Sequence, residues 1–146
     1  MIKYIIMGLR ITYTSSLKCI TPSRLRGFFA GWPEKPSPRT HVSILRKSDH
    51  IVLAVDSRTK NVIGFITAIS DGVLCAYIHL LEVLPEYRNQ GIGRELVKRM
   101  LDKLKDLYMI DLLCDKRVQP FYQRLGMTTA TGMMIRNYSR QSGRKR

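Results

Sequence analysis

The sequence predicts an α/β domain, a mixed sheet with helices packed on its flanks. Three observations carry this. From Ile51 to Val83 the chain runs in β-rich apolar stretches separated by turn-forming residues. Ile92, Leu96, Met100 and Leu104 then recur at four-residue spacing, with Val97 and Leu101 on the same side and Arg94, Glu95, Lys98, Arg99, Asp102, Lys103 and Asp106 opposite. Beyond them short apolar runs return, so the order is strands first, then helix, strand, helix, strand.

The elements follow in order. Leu9 to Tyr13 alternates apolar and polar residues and reads as a strand. Thr21-Pro22 is a cap and first-turn pair, predicting a helix through Leu25, Phe28 and Phe29 that Gly31 ends. The three prolines of Trp32–Pro38 argue against regular structure there, and a short helix is expected over Thr40–Arg46. Strands are expected at Ile51–Val55, Val62–Ile69 and Val73–Val83, divided by Asp56–Asn61 and by Asp71-Gly72; Pro85 stops the last. The helix from Ile92 should bury Tyr108 with its stripe. Met109–Cys114 is expected as a buried strand, Val118–Leu125 as a helix and Met127–Ile135 as a last strand.

With 146 residues the chain suits one domain. We expect that domain over residues 1–138, followed by a basic tail over 139–146 that holds Arg140, Arg144, Lys145 and Arg146. Lys and Arg number 25 against 11 Asp and Glu, a net +14 that favours anionic partners. Cys19, Cys75 and Cys114 are odd in number and without a CxxC pair, which argues against a disulfide framework or structural zinc and for a reducing compartment. The apolar run Ile2–Leu9 is too short to span a bilayer, so a soluble cytoplasmic protein is expected, without a membrane partner. Met7 is an alternative start.

The chemistry points to the segment between the third strand of this series and the long helix, Pro85 to Arg94. A helix N-terminus exposes unpaired N–H groups, and Gly91 and Gly93 let a ligand approach the backbone, which suits a phosphate or pyrophosphate. Arg88 and Arg94 add charge. A P-loop is excluded, because Leu96 and Val97 stand where Gly and Lys belong, and Leu96 also removes the third glycine of a dinucleotide fingerprint.

Arg88-Asn89-Gln90-Gly91-Ile92-Gly93 instead fits Arg/Gln-x-x-Gly-x-Gly/Ala. Upstream stands Leu81-Glu82-Val83-Leu84-Pro85-Glu86-Tyr87, and downstream Phe121-Tyr122-Gln123-Arg124-Leu125-Gly126-Met127. With these two motifs in this order the chain resembles the GCN5-related N-acetyltransferase (GNAT) superfamily, closely from Val62 to Met127 and in general layout before that. The resemblance implies a single-domain, mostly antiparallel sheet whose central strands splay apart. It implies acetyl-CoA as the acyl donor, its pantetheine arm along Leu81, Glu82 and Val83. Its pyrophosphate would lie on the N–H groups of Asn89, Gln90, Gly91, Ile92, Gly93 and Arg94, with Arg88 beside them.

It further implies acetyl transfer to a primary amine by direct attack in a ternary complex. Tyr122 matches the general acid that protonates the leaving thiolate, and the Val83 N–H is the oxyanion donor by position. Glu82 is the best-placed base, with His79, Asp111 or an ordered water as alternatives. Strand alternation sets His79 and Glu82 on opposite faces unless a bulge changes the phase. Two positions depart from the pattern. Asp115 stands where a pantetheine-binding asparagine is usual, and Met127 replaces a phenylalanine.

Phe28, Phe29, Trp32 and His41 fall where the family builds its acceptor site, and the amine itself is not legible. A basic nucleic-acid-binding module and a non-catalytic CoA-binding protein are the rival readings. No recognised nucleic-acid motif favours the first. A homodimer through the last strands is left open.

Overall fold

Where the strands turn is decided by two aspartates. In a computed structural model of the chain, which describes residues 3–6 and 8–144, Asp71 accepts hydrogen bonds from the N–H groups of Val73, Leu74 and Cys75 at 2.8–3.1 Å. Those donors hold its carboxyl far below the usual carboxylate range. Asp56 likewise accepts from the Arg58 N–H and the Thr59 hydroxyl. Each side chain satisfies turn N–H groups that no strand partner could reach.

The resulting sheet has six strands in chain order: β1 (Lys3–Ile6), β2 (Leu9–Thr14), β3 (His50–Asp56), β4 (Val62–Ser70), β5 (Cys75–Val83) and β6 (Met109–Asp111). All neighbours are antiparallel except β5 and β6, which run parallel. Met1, Ile2, Met7, Lys145 and Arg146 lie outside the described residues.

One face is covered by α2 (Ile92–Leu104), whose Ile92, Leu96, Val97, Met100 and Leu104 are all buried, as the four-residue stripe predicts. A Cβ at Gly64 on β4 would come within 3.1 Å of Leu96 Cδ1 and 3.3 Å of Ile92, so glycine sets how closely the helix approaches. The other face is covered by α1 (Pro38–Lys47) and the loop before it, through Leu25, Phe28, Phe29, Val42 and Leu45. Ser37 caps α1 by accepting from the Thr40 N–H, and Pro38 opens it. A last short helix, α3, spans Gln119–Gln123.

Four expectations are corrected. The predicted helix after Thr21 is one 3₁₀ turn, Pro22–Arg24. Gly27, Phe29 and Gly31 then all take positive φ, and Glu82 binds the N–H groups of Phe29 and Ala30, so a tertiary contact replaces the helical bonds. Tyr108 lies beyond the end of α2 and is exposed. Strand β6 stops at Asp111 because β5 diverges from it, and its Met109 is exposed rather than buried. Residues 128–136 form no strand and make no backbone–backbone hydrogen bond. A three-residue β6 offers too short an edge to pair them, and Met133 and Ile135 remain exposed.

Candidate active site

Strand β5 creates the site by losing its neighbour. It pairs with β6 through Cys75↔Met109, Ala76↔Ile110 and Tyr77↔Asp111, and from Ile78 to Val83 no strand among the described residues lies on that edge. The central strands are splayed, and the unpaired ladder groups of β5 can take an extended ligand as a pseudo-strand. Leu81 and Val83, both half-buried, sit on this stretch.

The open stretch leads through the 3₁₀ turn Pro85–Tyr87 to the start of α2. Asn89 (φ 59°) and Gly91 (φ 81°) take left-handed conformations there, and no side chain caps the helix. The first helical bond runs from the Glu95 N–H to the Gly91 carbonyl. Among the described residues the N–H groups of residues 89–94 therefore donate to no protein acceptor. The space above Gly91 is open, with no heavy atom within 4 Å of where a Cβ would stand. Consecutive free donors at the positive end of a 13-residue helix fit a pyrophosphate. Arg94 is exposed beside them, while Arg88 turns back and donates from Nε to the Val83 carbonyl at 3.0 Å, tying the loop to the strand end.

Tyr122 on α3 packs into the core, edge-on to Phe121 with centroids 4.9 Å apart. Burial, with a smaller contribution from Cys114, pushes its hydroxyl up to about 12, so it is a proton donor at neutral pH. Burial and then Asp115 push the Cys114 thiol up as well, so it carries no nucleophilic thiolate. Asp115 itself is exposed and only loosely paired with Arg117 at 3.8 Å.

The candidate bases are distributed by a β-bulge. The register steps from Thr67↔Leu80 to Ala68↔Ile78, so His79 is the extra residue. His79 Nε2 lies 3.2 Å from Thr67 Oγ1, on the face that carries Phe65, and Glu82 reaches Phe29 from that same face. The bulge thus reverses the phase of simple alternation and puts His79 and Glu82 on one side. Burial lowers the His79 ring below its ordinary value, leaving it neutral. Asp111 is exposed and faces Tyr77, where the strands are still together, before the bulge.

Glu82 does more than the sequence foretold. Its Oε2 accepts from the Phe29 N–H at 2.7 Å and its Oε1 from the Ala30 N–H at 3.1 Å, fastening the loop to the edge of the split. No sequence signal marks this contact across more than fifty residues; only the positive φ needed at Gly27 and Gly31 hints that the loop is not a helix. Above it Phe28, Phe29 and Phe65 enclose His41, with ring centroids 4.3–5.2 Å away. Trp32 leans on Phe29 but is itself exposed.

His41 is 1% exposed, and burial brings its ring down to about 4 from 6.5. Its neutral form is therefore the folded form. In the unfolded chain it takes a proton near pH 6.5, so its contribution is full above that pH and is lost as pH falls towards about 4. The expected loss is roughly 3 kcal/mol across that window, at about 1.4 kcal/mol per pH unit. Thermal melts of wild type and His41→Phe between pH 7 and pH 4 would show the difference; parallel curves would remove His41 as its source.

This geometry has counterparts among known proteins. The acetyltransferase (GNAT) family model matches residues 17–127. A candidate acetyltransferase from Deinococcus radiodurans R1 is 46% identical, with a TM-score of 0.90, over 93% of this chain and 94% of its own. A GNAT-family acetyltransferase from Streptococcus pneumoniae TIGR4 is 29% identical, with a TM-score of 0.70, over 87% of this chain and 98% of its own. Histone acetyltransferase TAP1 of Glycine max is 31% identical over 108 residues, covering 66% of this chain and 46% of that protein. The chain thus spans less than half the length of that curated relative.

Proposed function

The chain belongs to the acetyltransferase (GNAT) family, and from that premise we propose that it transfers the acetyl group of acetyl-CoA to a primary amine by direct attack in a ternary complex. The observation that carries this is the junction of the split edge of β5 with the row of free N–H groups at residues 89–94. An extended arm ending in a pyrophosphate needs a ladder edge and an anion cradle in line, and here they are consecutive in the chain.

The residues then divide the work. Leu81 and Val83 offer backbone to the pantetheine, and Asn89 to Arg94 hold the pyrophosphate, with Arg88 and Arg94 adding charge. The Val83 N–H serves the oxyanion. The amine, once deprotonated, attacks the thioester carbonyl; the carbon–nitrogen bond forms, the carbon–sulfur bond breaks, and the thiolate takes the Tyr122 proton. The unpaired state of all three cysteines suits a reducing, cytoplasmic setting. Among the described residues no helix is long and apolar enough to cross a membrane.

Glu82 is the base in this reading, directly or through one water, with His79 next to it on the same face. Two backbone donors occupy its oxygens, but an ionised carboxylate offers about four acceptor positions, so it keeps capacity for an ammonium or a water. Glu82→Gln should lower turnover at neutral pH by about 100-fold or more and leave acetyl-CoA affinity intact. Wild-type turnover in that variant would take Glu82 out of the proton path and leave it the loop tether alone.

The test of the whole reading is calorimetric titration with acetyl-CoA, with ATP and NAD as controls, followed by thiol release in the presence of amines. Micromolar binding of acetyl-CoA alone supports it. Absence of binding overturns it.

A further inference from the structure

Between the loop and α1 lies a cavity of about 290 Å³, lined among others by Arg26, Phe28, Phe29, Lys35, Pro36 and His41. We propose that this cavity is the acceptor pocket and that it selects flat amines carrying a carboxylate, held by Arg26, Lys35 and the His41 ring. The proposal rests on the acyl-transfer reading and adds the substrate class to it.

The first support is His41. Neither Nδ1 nor Nε2 has a hydrogen-bond partner among the described residues, although the side chain is 1% exposed. A neutral imidazole carries one N–H donor and one acceptor, and burying both unpaired is unfavourable unless something enters to meet them. Core histidines packed among phenylalanines are poor choices on packing grounds alone, since a fourth phenylalanine would fill the same space without polar atoms. The ring also lines the cavity, and its nitrogens are covered, so a ligand there meets them once Phe28 or Phe29 shifts.

The second support is charge. The ion pairs among the described residues are Glu95–Arg99, Asp102–Lys105 and Asp115–Arg117, so Arg26 and Lys35 are both unpaired cations on the cavity wall. The C-terminal segment adds to this side. Gln141 Oε1 accepts from the Glu34 N–H at 3.0 Å, and a Cβ at Gly143 would meet Thr40 at 3.0 Å, which brings the stretch holding Arg140 and Arg144 alongside the rim. Glu34 at the same rim offsets only part of this charge, so an amine that is a cation in solution is disfavoured here unless it also carries an anionic group.

The third support is position. Phe28 and Phe29 form one wall, and the Phe29 N–H is fastened to Glu82 on β5. A Cβ at Gly27 would stand 3.2 Å from Leu84 Cδ2, so the same loop also packs on the strand exit. In this proposal the carboxylate is drawn to Arg26 and Lys35, and the amine lies at the Phe29 end of the pocket, beside the tether to Glu82. The aromatic and proline walls fit a planar group better than a flexible chain, because a rigid body loses less freedom on binding.

Two measurements test this. Calorimetry on the protein without acetyl-CoA compares 4-(aminomethyl)benzoate with benzylamine, which differ only in the carboxylate. Binding of the first should be at least about tenfold tighter, and an Arg26→Gln/Lys35→Gln double variant should erase the difference. Equal binding of the two amines, or binding of neither, overturns the proposal. Because this arm needs no acetyl-CoA, its failure is separable from failure of the acyl-transfer reading, which the acetyl-CoA titration reports. In steady-state transfer, His41→Phe should raise KM for 4-(aminomethyl)benzoate far more than it changes kcat, while its melting temperature rises. A higher melting temperature with unchanged KM would make His41 a packing residue only and overturn its part. A short acidic peptide with a free N-terminus, used in preference to both amines, would move the carboxylate onto a polypeptide and overturn the small-molecule class.

Discussion

Gly91→Glu should remove acetyl-CoA binding, with affinity falling by at least about 100-fold. Gly91 stands at φ 81° with open space above it, at the N-terminus of α2. A side chain there is strained by about 1–2 kcal/mol, and a carboxylate would occupy the space beside the free N–H groups of residues 89–94. Charge-assisted hydrogen bonds are worth about 1.5–3 kcal/mol each, so losing two accounts for roughly 100-fold or more. Gly91→Ala separates the causes, since it carries the strain without the charge and should lose far less. Calorimetric titration of the three proteins, with circular dichroism to show that each is folded, reads the result. Equal affinity in all three would mean that the pyrophosphate lies elsewhere.

Tyr122→Phe should reduce kcat by about 100- to 10,000-fold and leave acetyl-CoA affinity within a few-fold of wild type. The ring is in the core and its packing against Phe121 survives the change, so the fold keeps its shape while the hydroxyl is lost. With burial holding that hydroxyl at about 12, it stays protonated through neutral and mildly alkaline pH. Wild-type kcat should therefore show no alkaline fall from this group below about pH 10. Product-release steps can hide such an effect, so single-turnover acetylation is the measurement of choice. A rate equal to wild type in single turnover would take Tyr122 out of the chemistry.

Much of this was legible along the chain, because it depends on local periodicity and turn chemistry. The stripe Ile92, Leu96, Met100, Leu104 placed α2, and its end at Leu104 left Tyr108 exposed, while Leu101 is partly buried. Asp71-Gly72 marked the hairpin, though the reach of the Asp71 carboxylate over three N–H groups delays β5 to Cys75. The split of β5 from β6 was implied by the family resemblance of residues 81–93 and 121–127, and the parallel pairing ending at Tyr77↔Asp111 agrees with it.

Other features depend on residues distant in sequence. The run from Thr21 to Gly31 has the cap and apolar residues of a helix, and it is Glu82, more than fifty residues later, that takes the N–H groups of Phe29 and Ala30 and draws the loop into another shape. His79 and Glu82 share a face only because β4 and β5 slip at Thr67, a matter of register between two strands and not of either strand alone. The segment Met127–Ile135 has the composition of a strand, yet a strand needs an edge, and β6 ends too soon to supply one.

Glycine placement, helix periodicity and turn chemistry are properties of neighbours, so the fold class and the glycines at the start of the long helix were legible along the chain. Which carboxylate holds the loop at Phe29 and Ala30, which histidine is left unpaired beside a cavity, and where the last strand fails were settled by contacts distant in sequence. Each of those depends on hydrogen-bond partners brought together across the sheet, and a backbone or imidazole nitrogen takes whichever acceptor the fold delivers to it.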